Sequence, residues 1–467
     1  MGSPHLTDAP AEVVRGLDAI RAEMEVRDAF PAEVEAAAGA AAAHGPRDLG
    51  PRDDRRELPL VTIDPPGSMD LDQALHIAPD GDGFTLHYAI ADLAAFVPIG
   101  GVVEAEAWLR GQTVYLPDHR SPLYPTVISQ GAASLLPGEE RPAVLFTLPV
   151  SADGQAGAGT VRRATVRSTR RLAYSEVGDD TVEGLRPMGE ALAAAATRRG
   201  ATQVDLPDVE IRPDPGSPSG YVLEARERLP SEDWNAQVSL VANMVAARMM
   251  ADAATGLFRV MDDPDPARMA DLRVAAVALG FAVPASPDLA AVGTASGPPQ
   301  AVGALRRTAR ASTGAGYRPF DPARPPFHSA VAAPYAHATA PIRRLADRYV
   351  LDLLVDLGSG ATPEPAGAFR GLADAMNTSD TRASRAEAAA LDLIEAFLLA
   401  PLVGRRFRAV VTGTGEKTAR IQLVDPPVRA SVRTDAPPAA GSAVQVTLVE
   451  ADPARRRVAF DDLRPEG

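Results

Sequence analysis

The stretch that decides the fold of this chain reads Thr62-Ile-Asp64-Pro-Pro-Gly-Ser-Met-Asp70-Leu-Asp72-Gln73-Ala74. Residues 58–63 have the apolar, β-branched character of a strand, and the Pro-Pro-Gly sequence after the first aspartate predicts a turn. Asp70 and Asp72 are separated by one residue in an extended segment, so their side chains point to the same face. The pattern predicts three carboxylates that converge at the end of a strand.

Three carboxylates in one place repel one another strongly unless positive charge offsets them. Their oxygens are the ligands that hard cations such as Mg²⁺ and Mn²⁺ prefer, so the pattern favours a divalent metal site. Two Mg²⁺ ions about 3.5 to 4 Å apart activate a water molecule and stabilise the leaving oxygen of a phosphodiester. The alternative is that Asp64 begins an ordinary turn and that Asp70 and Asp72 are solvated, because Asp is common in turns.

The composition narrows the chemistry further. None of the 467 residues is a cysteine, which excludes disulfides, thiolate zinc sites, iron-sulfur clusters and cysteine nucleophiles. Seven histidines are scattered along the chain, so carboxylates are the expected metal ligands. The formal net charge of −14 argues mildly against a general nucleic-acid binder, although local clusters of arginine matter more than the total.

The length predicts two or three domains. We expect a helical N-terminal domain over 1–52, for which a helix-turn-helix module is one form, a large α+β domain over 56–400, and a third domain over 404–465. Five short strand-like runs in the third domain predict a small OB-type barrel. Helical patterns occupy about 234–276, 341–357 and 383–399, and a surface loop is expected over 285–301. We find no long apolar stretch near the start, and we expect a cytoplasmic monomer with no membrane anchor.

A second stretch carries a compact set of polar residues and reads Tyr335-Ala-His337-Ala-Thr339-Ala-Pro341-Ile-Arg343-Arg344-Leu-Ala-Asp347. Pro341 predicts the start of a helix, with both arginines in its first turn beside free backbone N–H groups that attract anions. A planar guanidinium grips phosphate oxygens with two bonds. The alternative is a surface arginine pair beside acidic helix residues.

The first stretch resembles, as T-I-D-P-x₄-D-x-D-x-A, the first catalytic motif of the RNase II and RNase R family, whose shared catalytic domain is called RNB. The second is similar to the family's Y-x-H-x-T-S-P-I-R-R-Y-x-D, with Ala340 in place of Ser and Leu345 in place of Tyr. The resemblance covers about 58–465 and is nearest the RNase II type. It implies a processive 3′-to-5′ exoribonuclease of RNA turnover, which hydrolyses single-stranded RNA to nucleoside 5′-monophosphates by a two-metal mechanism with Mg²⁺, or Mn²⁺.

The resemblance also implies roles for individual residues. Asp64, Asp70 and Asp72 would serve the metal site, and Arg343 would stabilise charge at the scissile phosphate, an effect of about 2 to 4 kcal/mol in comparable sites. Gln73 stands where many members carry a fourth acid. Its amide oxygen binds a metal more weakly than a carboxylate does, because it carries no charge.

Four further residues are implied as RNA contacts, namely Tyr115, Tyr174, Arg344 and Glu387. Tyr115 and Glu387 each have a structural alternative: a tyrosine before Leu-Pro is often a half-buried packing residue, and a helical glutamate is usually solvated. The C-terminal barrel resembles the family's OB-fold RNA-binding domain, in which a basic groove holds single strands without reading their sequence.

The N-terminus departs from the family, whose members commonly begin with two cold-shock barrels, because 1–52 is too short and too helical for them. Two other classes of protein remain open. A catalytically silent RNA-binding protein would keep the barrel and lose the metal chemistry, and Gln73 favours it. A metal-dependent phosphoesterase for small substrates would keep the aspartates but would not need a barrel.

Overall fold

The computed structural model describes residues 9–201, 208–226, 228–263, 314–426 and 428–465, together with a few positions between 265 and 277. The surface loop expected over 285–301 lies outside the described residues. Within the described ranges, no helix has the length and apolar character that crossing a membrane requires.

The first nine strands build the sheet that carries the candidate site and a hairpin beside it. They are β1 (Asp53–Asp54), β2 (Val61–Asp64), β3 (Gln73–Asp80), β4 (Gly83–Ala91), β5 (Val114–Tyr115), β6 (Arg120–Ser121), β7 (Glu140–Val150), β8 (Thr160–Arg167) and β9 (Arg170–Ala173). Seven of them form one sheet in the order β1-β8-β7-β4-β3-β2-β9, while β5 and β6 pair as a separate hairpin. Residues 142–146 of β7 are all buried, as expected for a strand that is covered on both faces.

The described helices of eight or more residues are α1 (Ala11–Glu23), α2 (Ala32–His44), α3 (Val102–Arg110), α4 (Leu185–Arg199), α5 (Pro230–Asp252), α6 (Leu345–Ser359) and α7 (Arg370–Leu399). Two short hairpins, β10 (Asp208–Pro213) with β11 (Tyr221–Arg226) and β12 (Leu257–Met261) with β13 (Ala315–Pro319), complete this part of the chain. The α+β class is therefore confirmed.

Two helix boundaries differ from those predicted. The helical pattern expected from residue 234 onward is interrupted, because Ala254 and Gly256 adopt positive φ angles of 52° and 102° and the chain continues as β12. The helix expected from Pro341 begins instead at Leu345, because Arg344 has extended backbone angles of −134° and 125°. Arg343 and Arg344 therefore precede the helix.

The N-terminal segment is helical, as predicted, but its two helices pack mainly on the body of the protein. Val13, Leu17 and Ile20 of α1 lie at helical spacing and join one buried cluster with residues of α7. The approach is close: a Cβ added at Gly16 would lie 2.6 Å from a methyl carbon of Leu393. A separate domain over 1–52 stays a prediction.

The last five strands form a barrel, which confirms the prediction. They are β14 (Arg406–Thr414), β15 (Thr418–Leu423), β16 (Arg429–Arg433), β17 (Ala443–Asp452) and β18 (Arg457–Pro465), in the order β16-β15-β14-β17-β18. The outer strands β16 and β18 approach each other, so the sheet nearly closes. Val444, Val446 and Leu448 show the alternation of buried side chains that is typical of such a strand.

Candidate active site

The acidic stretch folds as a strand end, a turn and an extended segment. Asp64 is the last residue of β2, and Gly67 takes a positive φ of 80° in the turn that follows. Ser134 holds the returning segment, because its hydroxyl donates to the carbonyl of Met69 at 2.6 Å and accepts the N–H of Leu71 at 3.0 Å. The Leu71 side chain is fully buried, so the aspartates on either side of it share the opposite face.

Asp72 is the most buried of the three acids and is 4% exposed. Its Oδ1 accepts the backbone N–H of Ile342 at 2.7 Å, and its Oδ2 lies 3.2 Å from Nε of Arg343. Burial raises the pKa of Asp72 to about 8, and the Arg343 charge opposes this shift. Burial likewise raises the pKa of Asp64 to about 6, with Arg343 opposing and the Asp70 charge adding to the shift. The stretch that contains Arg343 therefore lies against the acidic stretch, as predicted.

Asp70 has a partner that the sequence analysis missed. Nη1 of Arg120 lies 2.7 Å from Oδ1 of Asp70. Arg120 stands opposite Tyr115 in the β5–β6 hairpin, where cross-strand partners share a face. A sequence signal for this pairing was available. The short turn Leu116-Pro-Asp-His separates Tyr115 from Arg120 and is typical of a hairpin, in which the two residues lie opposite each other.

Arg343 and Arg344 are neighbours in sequence, but their side chains lie in different environments. Arg344 donates two hydrogen bonds, of 2.9 and 2.7 Å, to the carboxylate of Asp347, which is fully buried. Asp347 also accepts the N–H of Ala340 at 2.7 Å, and this contact stabilises a turn where a first helical turn was expected. The Arg343 side chain is 40% exposed and lies beside Asp72. An RNA contact by Arg344 stays a prediction.

The two tyrosines lie near the acids. Strands β2 and β9 are parallel, with Asp64 level with Ala173, so Tyr174 follows at the same edge of the sheet. Burial raises the pKa of Tyr174, and the Asp64 charge adds to the shift. Burial also raises the pKa of Tyr115. The Arg343 charge opposes this shift and the Asp70 charge adds to it. Glu387 lies on the exposed face of α7, and its role stays a prediction.

Gln73 links the two stretches of sequence. Its Nε2 donates to the carbonyl of Thr339, and its Oε1 accepts the hydroxyl of Tyr88 at 2.8 Å. The Tyr88 hydroxyl lies 2.7 Å from Oγ of Ser239 on α5. The amide of Gln73 therefore joins the acidic segment, the sheet and the segment before Arg343.

The three acids supply the kind of donor atoms that a hard cation requires. Among the described residues, no three His, Asp or Glu side chains are spaced as metal ligands already in place. Asp64, Asp70 and Asp72 nevertheless supply only oxygen donors, and their mutual charges contribute to the raised pKa values of Asp64 and Asp72. A divalent cation would offset that charge, so the chemistry of the donors fits Mg²⁺ or Mn²⁺.

Two family models match the chain. The RNB domain matches residues 52–359, which is more than half of the chain, and the RNase II-type exonuclease C-terminal S1 domain matches residues 405–462. The chain belongs to the RNB family, as the resemblance of its motifs predicted.

Individual relatives add detail. Ribonuclease R of Aquifex aeolicus is 28% identical over 391 residues, which cover 78% of this chain and 55% of the relative. The chain therefore spans about half the length of that curated protein. The Mycoplasma genitalium RNase R in complex with ribose methylated single-stranded RNA superposes with a TM-score of 0.81 at 19% identity, covering 97% of this chain and 78% of the other.

The fold by itself does not separate active from silent members. Yeast Ssd1, described as a pseudonuclease, superposes with a TM-score of 0.66 at 17% identity over 88% of this chain and 54% of its own. At such identities the likeness extends to the fold alone. The side chains of the candidate site must carry any argument about activity.

Proposed function

We propose that this protein is a 3′-to-5′ exoribonuclease that degrades single-stranded RNA processively to nucleoside 5′-monophosphates. The observation that carries the proposal is the meeting of Asp72 with Arg343, which lie far apart in sequence and 3.2 Å apart in space. An anionic centre beside a partly exposed guanidinium suits a phosphodiester, whose charge grows during attack by water. RNA turnover in the cytoplasm, as a monomer, belongs to the same proposal.

The cofactor of the proposal is Mg²⁺, with Mn²⁺ as the alternative, held by Asp64, Asp70 and Asp72. When bound as a pair in a two-metal mechanism, such ions lower the pKa of a water molecule and neutralise charge on the phosphate. Gln73 remains the weaker candidate ligand. Its two hydrogen bonds favour a supporting role, in which it keeps the acidic segment against the carbonyl of Thr339.

The protein side chains have their own parts in the proposal. Arg343 binds a non-bridging oxygen of the scissile phosphate and stabilises the negative charge that develops on it. Tyr115 and Tyr174 flank the acids and offer rings to the last nucleotides. Arg344 and Glu387 are proposed as further RNA contacts, and the C-terminal barrel holds the strand that leads to the site.

A silent RNA-binding protein is the second candidate. Two observations favour it: both polar groups of the Gln73 amide are used inside the protein, and the acids within the described ranges are not spaced as ready metal ligands. In this candidate, Arg120 and Arg343 neutralise Asp70 and Asp72 permanently.

One experiment separates the two. The full chain is incubated with 5′-labelled poly(A) in Mg²⁺, in Mn²⁺ and in EDTA, with Asp72→Asn as the matched variant. We expect progressive shortening and release of AMP in metal, and none in EDTA or with the variant. Tight binding without shortening in either metal would support the silent candidate. Neither binding nor shortening would contradict both.

A further inference from the structure

The β5–β6 hairpin contacts the candidate site at several points. We call residues 113–121 the site hairpin. The N–H of Thr113 donates to the carbonyl of Arg343 at 2.9 Å, and Arg120 pairs with Asp70 at 2.7 Å. Tyr115 is the cross-strand partner of Arg120, and the charges of Arg343 and Asp70 act on its hydroxyl. The position of the hairpin therefore affects both the arginine and the acidic side of the site.

The site hairpin cannot hold this position alone. Its two strands contain only two residues each, Val114–Tyr115 and Arg120–Ser121. An isolated hairpin of two strands is marginally stable at best in water, and such a short one has few cross-strand pairs. The arrangement of Arg120 against Asp70 must be supported from outside the hairpin.

The outside face of the hairpin packs on the N-terminal segment. Val114 and Leu116 are 5% and 1% exposed and lie in one buried cluster with Leu17 and Ile20 of α1. Because side chains alternate along a strand, Tyr115 between them points to the other face. The site hairpin thus lies between α1 and the acids.

Polar contacts reinforce this packing at the turn of the hairpin. Arg21 of α1 is 5% exposed and donates to both carboxylate oxygens of Asp118, at 2.9 and 2.5 Å. Asp28, just beyond α1, lies 3.0 Å from Nε2 of His119 and accepts the hydroxyl of Ser121 at 2.9 Å. Both residues that flank Arg120 are therefore held by the N-terminal segment.

We propose that residues 11–29 form a clamp that positions the site hairpin, with Arg21 and Asp28 as positioning residues for Arg120 and Tyr115. The effect on RNA rests on the proposed function, whereas the clamp itself is a structural claim. The N-terminal segment then affects catalysis by positioning the site hairpin, without contacting RNA. Its loss would misplace Arg120 and Tyr115, while Asp64, Asp70 and Asp72 are left unchanged in sequence.

The test compares two substitutions on the same helix. Arg21→Ala removes the clamp, and Glu23→Ala is the matched control, because Glu23 pairs with Arg456 of the C-terminal barrel and not with the hairpin. A third protein exchanges the charges, with Arg21→Asp and Asp118→Arg together. Amide hydrogen exchange of residues 113–122 is measured in the full chain, along with kcat and KM on oligoadenylate and binding of 5′-labelled oligoadenylate in EDTA.

We expect Arg21→Ala to speed exchange in residues 113–122 by at least about fivefold, because a local opening becomes easier. We also expect kcat/KM to fall about tenfold, mainly through kcat, and both effects to be partly reversed in the charge-exchanged protein. Glu23→Ala should match the wild type in each measurement.

Equal exchange in Arg21→Ala and Glu23→Ala would overturn the clamp. Faster exchange of the hairpin with unchanged kcat/KM and unchanged RNA binding would overturn its role in the site. If the wild-type chain shortens no RNA, the proposed function fails separately. The clamp is then judged by hydrogen exchange and by RNA binding in EDTA, where an effect confined to Arg21→Ala supports it and no difference overturns it.

Discussion

Two groups of polar side chains meet at the turn formed by residues 341–344, and they differ in how their charges are matched. The site face consists of Asp64, Asp70, Asp72 and Arg343. The support network behind it consists of Asn243, Tyr335, Thr339, Arg344 and Asp347.

In the support network, every side chain has a partner. Asn243 donates to the hydroxyls of Tyr335 and Thr339, at 3.2 Å each, and accepts the N–H of Ala338 at 2.8 Å. Arg344 and Asp347 form a two-bond ion pair. Such a network fixes the backbone before α6, because breaking any one contact would leave a buried polar group without a partner.

In the site face, the charges are left partly unmatched. Nε of Arg343 is buried and, among the described residues, has no hydrogen-bond partner, although Asp72 lies 3.2 Å away. Burial raises the pKa of Asp64 and of Asp72. Adjacent residues of one motif therefore have different roles. Arg343 belongs to the site face, where charge is left unmatched and a ligand is proposed to bind, and Arg344 belongs to the support network, where the charges are matched.

The largest expected effect tests the site face. Asp72→Asn should lower the rate of RNA shortening about 1000-fold, equivalent to about 4 kcal/mol, because a carboxylate of the proposed metal site is lost. The free energy of unfolding should fall by no more than about 1 kcal/mol, because Asn still accepts the N–H of Ile342. The measurements are single-turnover rates and urea unfolding. A loss of stability equal to the loss of rate would place Asp72 in the support network.

The next effect tests the support network. Arg344→Gln should lower the free energy of unfolding by about 3 kcal/mol, because it leaves the buried carboxylate of Asp347 unpaired. Urea unfolding of Arg344→Gln, alone and with Asp347→Asn, measures this. The double variant should recover part of the loss. An unchanged stability with a lower affinity for RNA would instead favour the predicted RNA contact.

Arg343→Gln sharpens the comparison between neighbours. The rate should fall about 100-fold, or about 2.7 kcal/mol, because charge on the phosphate loses its guanidinium. Stability should fall less than in Arg344→Gln, because the Arg343 side chain is 40% exposed and its Nε makes no hydrogen bond among the described residues. Single-turnover rates and thermal unfolding of Arg343→Gln and Arg344→Gln are compared side by side. Matching profiles for the two variants would break the distinction.

The smallest effect concerns pH. Burial lowers the pKa of His328 to about 4, and its ring packs against Tyr335 of the support network. The unfolded chain therefore binds this proton below about pH 6.5 while the folded chain does not, so folding stability falls as the pH falls from 7 towards 4. The wild type should lose about 2 kcal/mol more than His328→Gln between pH 7 and pH 5. Urea unfolding at both pH values measures it, and parallel losses would argue against the assignment.

Particular residues show how far the sequence could be interpreted. The alternation of Val444, Val446 and Leu448 is a local signal, and the predicted barrel is confirmed. The two polar stretches predicted a meeting of acids with Arg343, because their residue types and spacing match one family. Arg120 was missed although its place opposite Tyr115 in a short hairpin offered a signal. The contacts of α1 with the site hairpin were missed because ion pairs between distant segments leave no periodic signal. The first turn predicted from Pro341 was wrong, because Asp347 binds the backbone of Ala340.

The sequence by itself determined the α+β class, the C-terminal barrel, membership of the RNB family and the residue types of the site. Local spacing encodes the α+β class and the barrel, since strands and helices repeat over two and about 3.6 residues, whereas the family and the site residues followed from the resemblance of two motifs. Only the tertiary structure decided that Arg344 pairs with the buried carboxylate of Asp347 and supports the turn. It brings Ile342 to Asp72 across 270 positions of sequence. Such a contact depends on packing of the whole domain, because no local pattern specifies the partner of a buried charge.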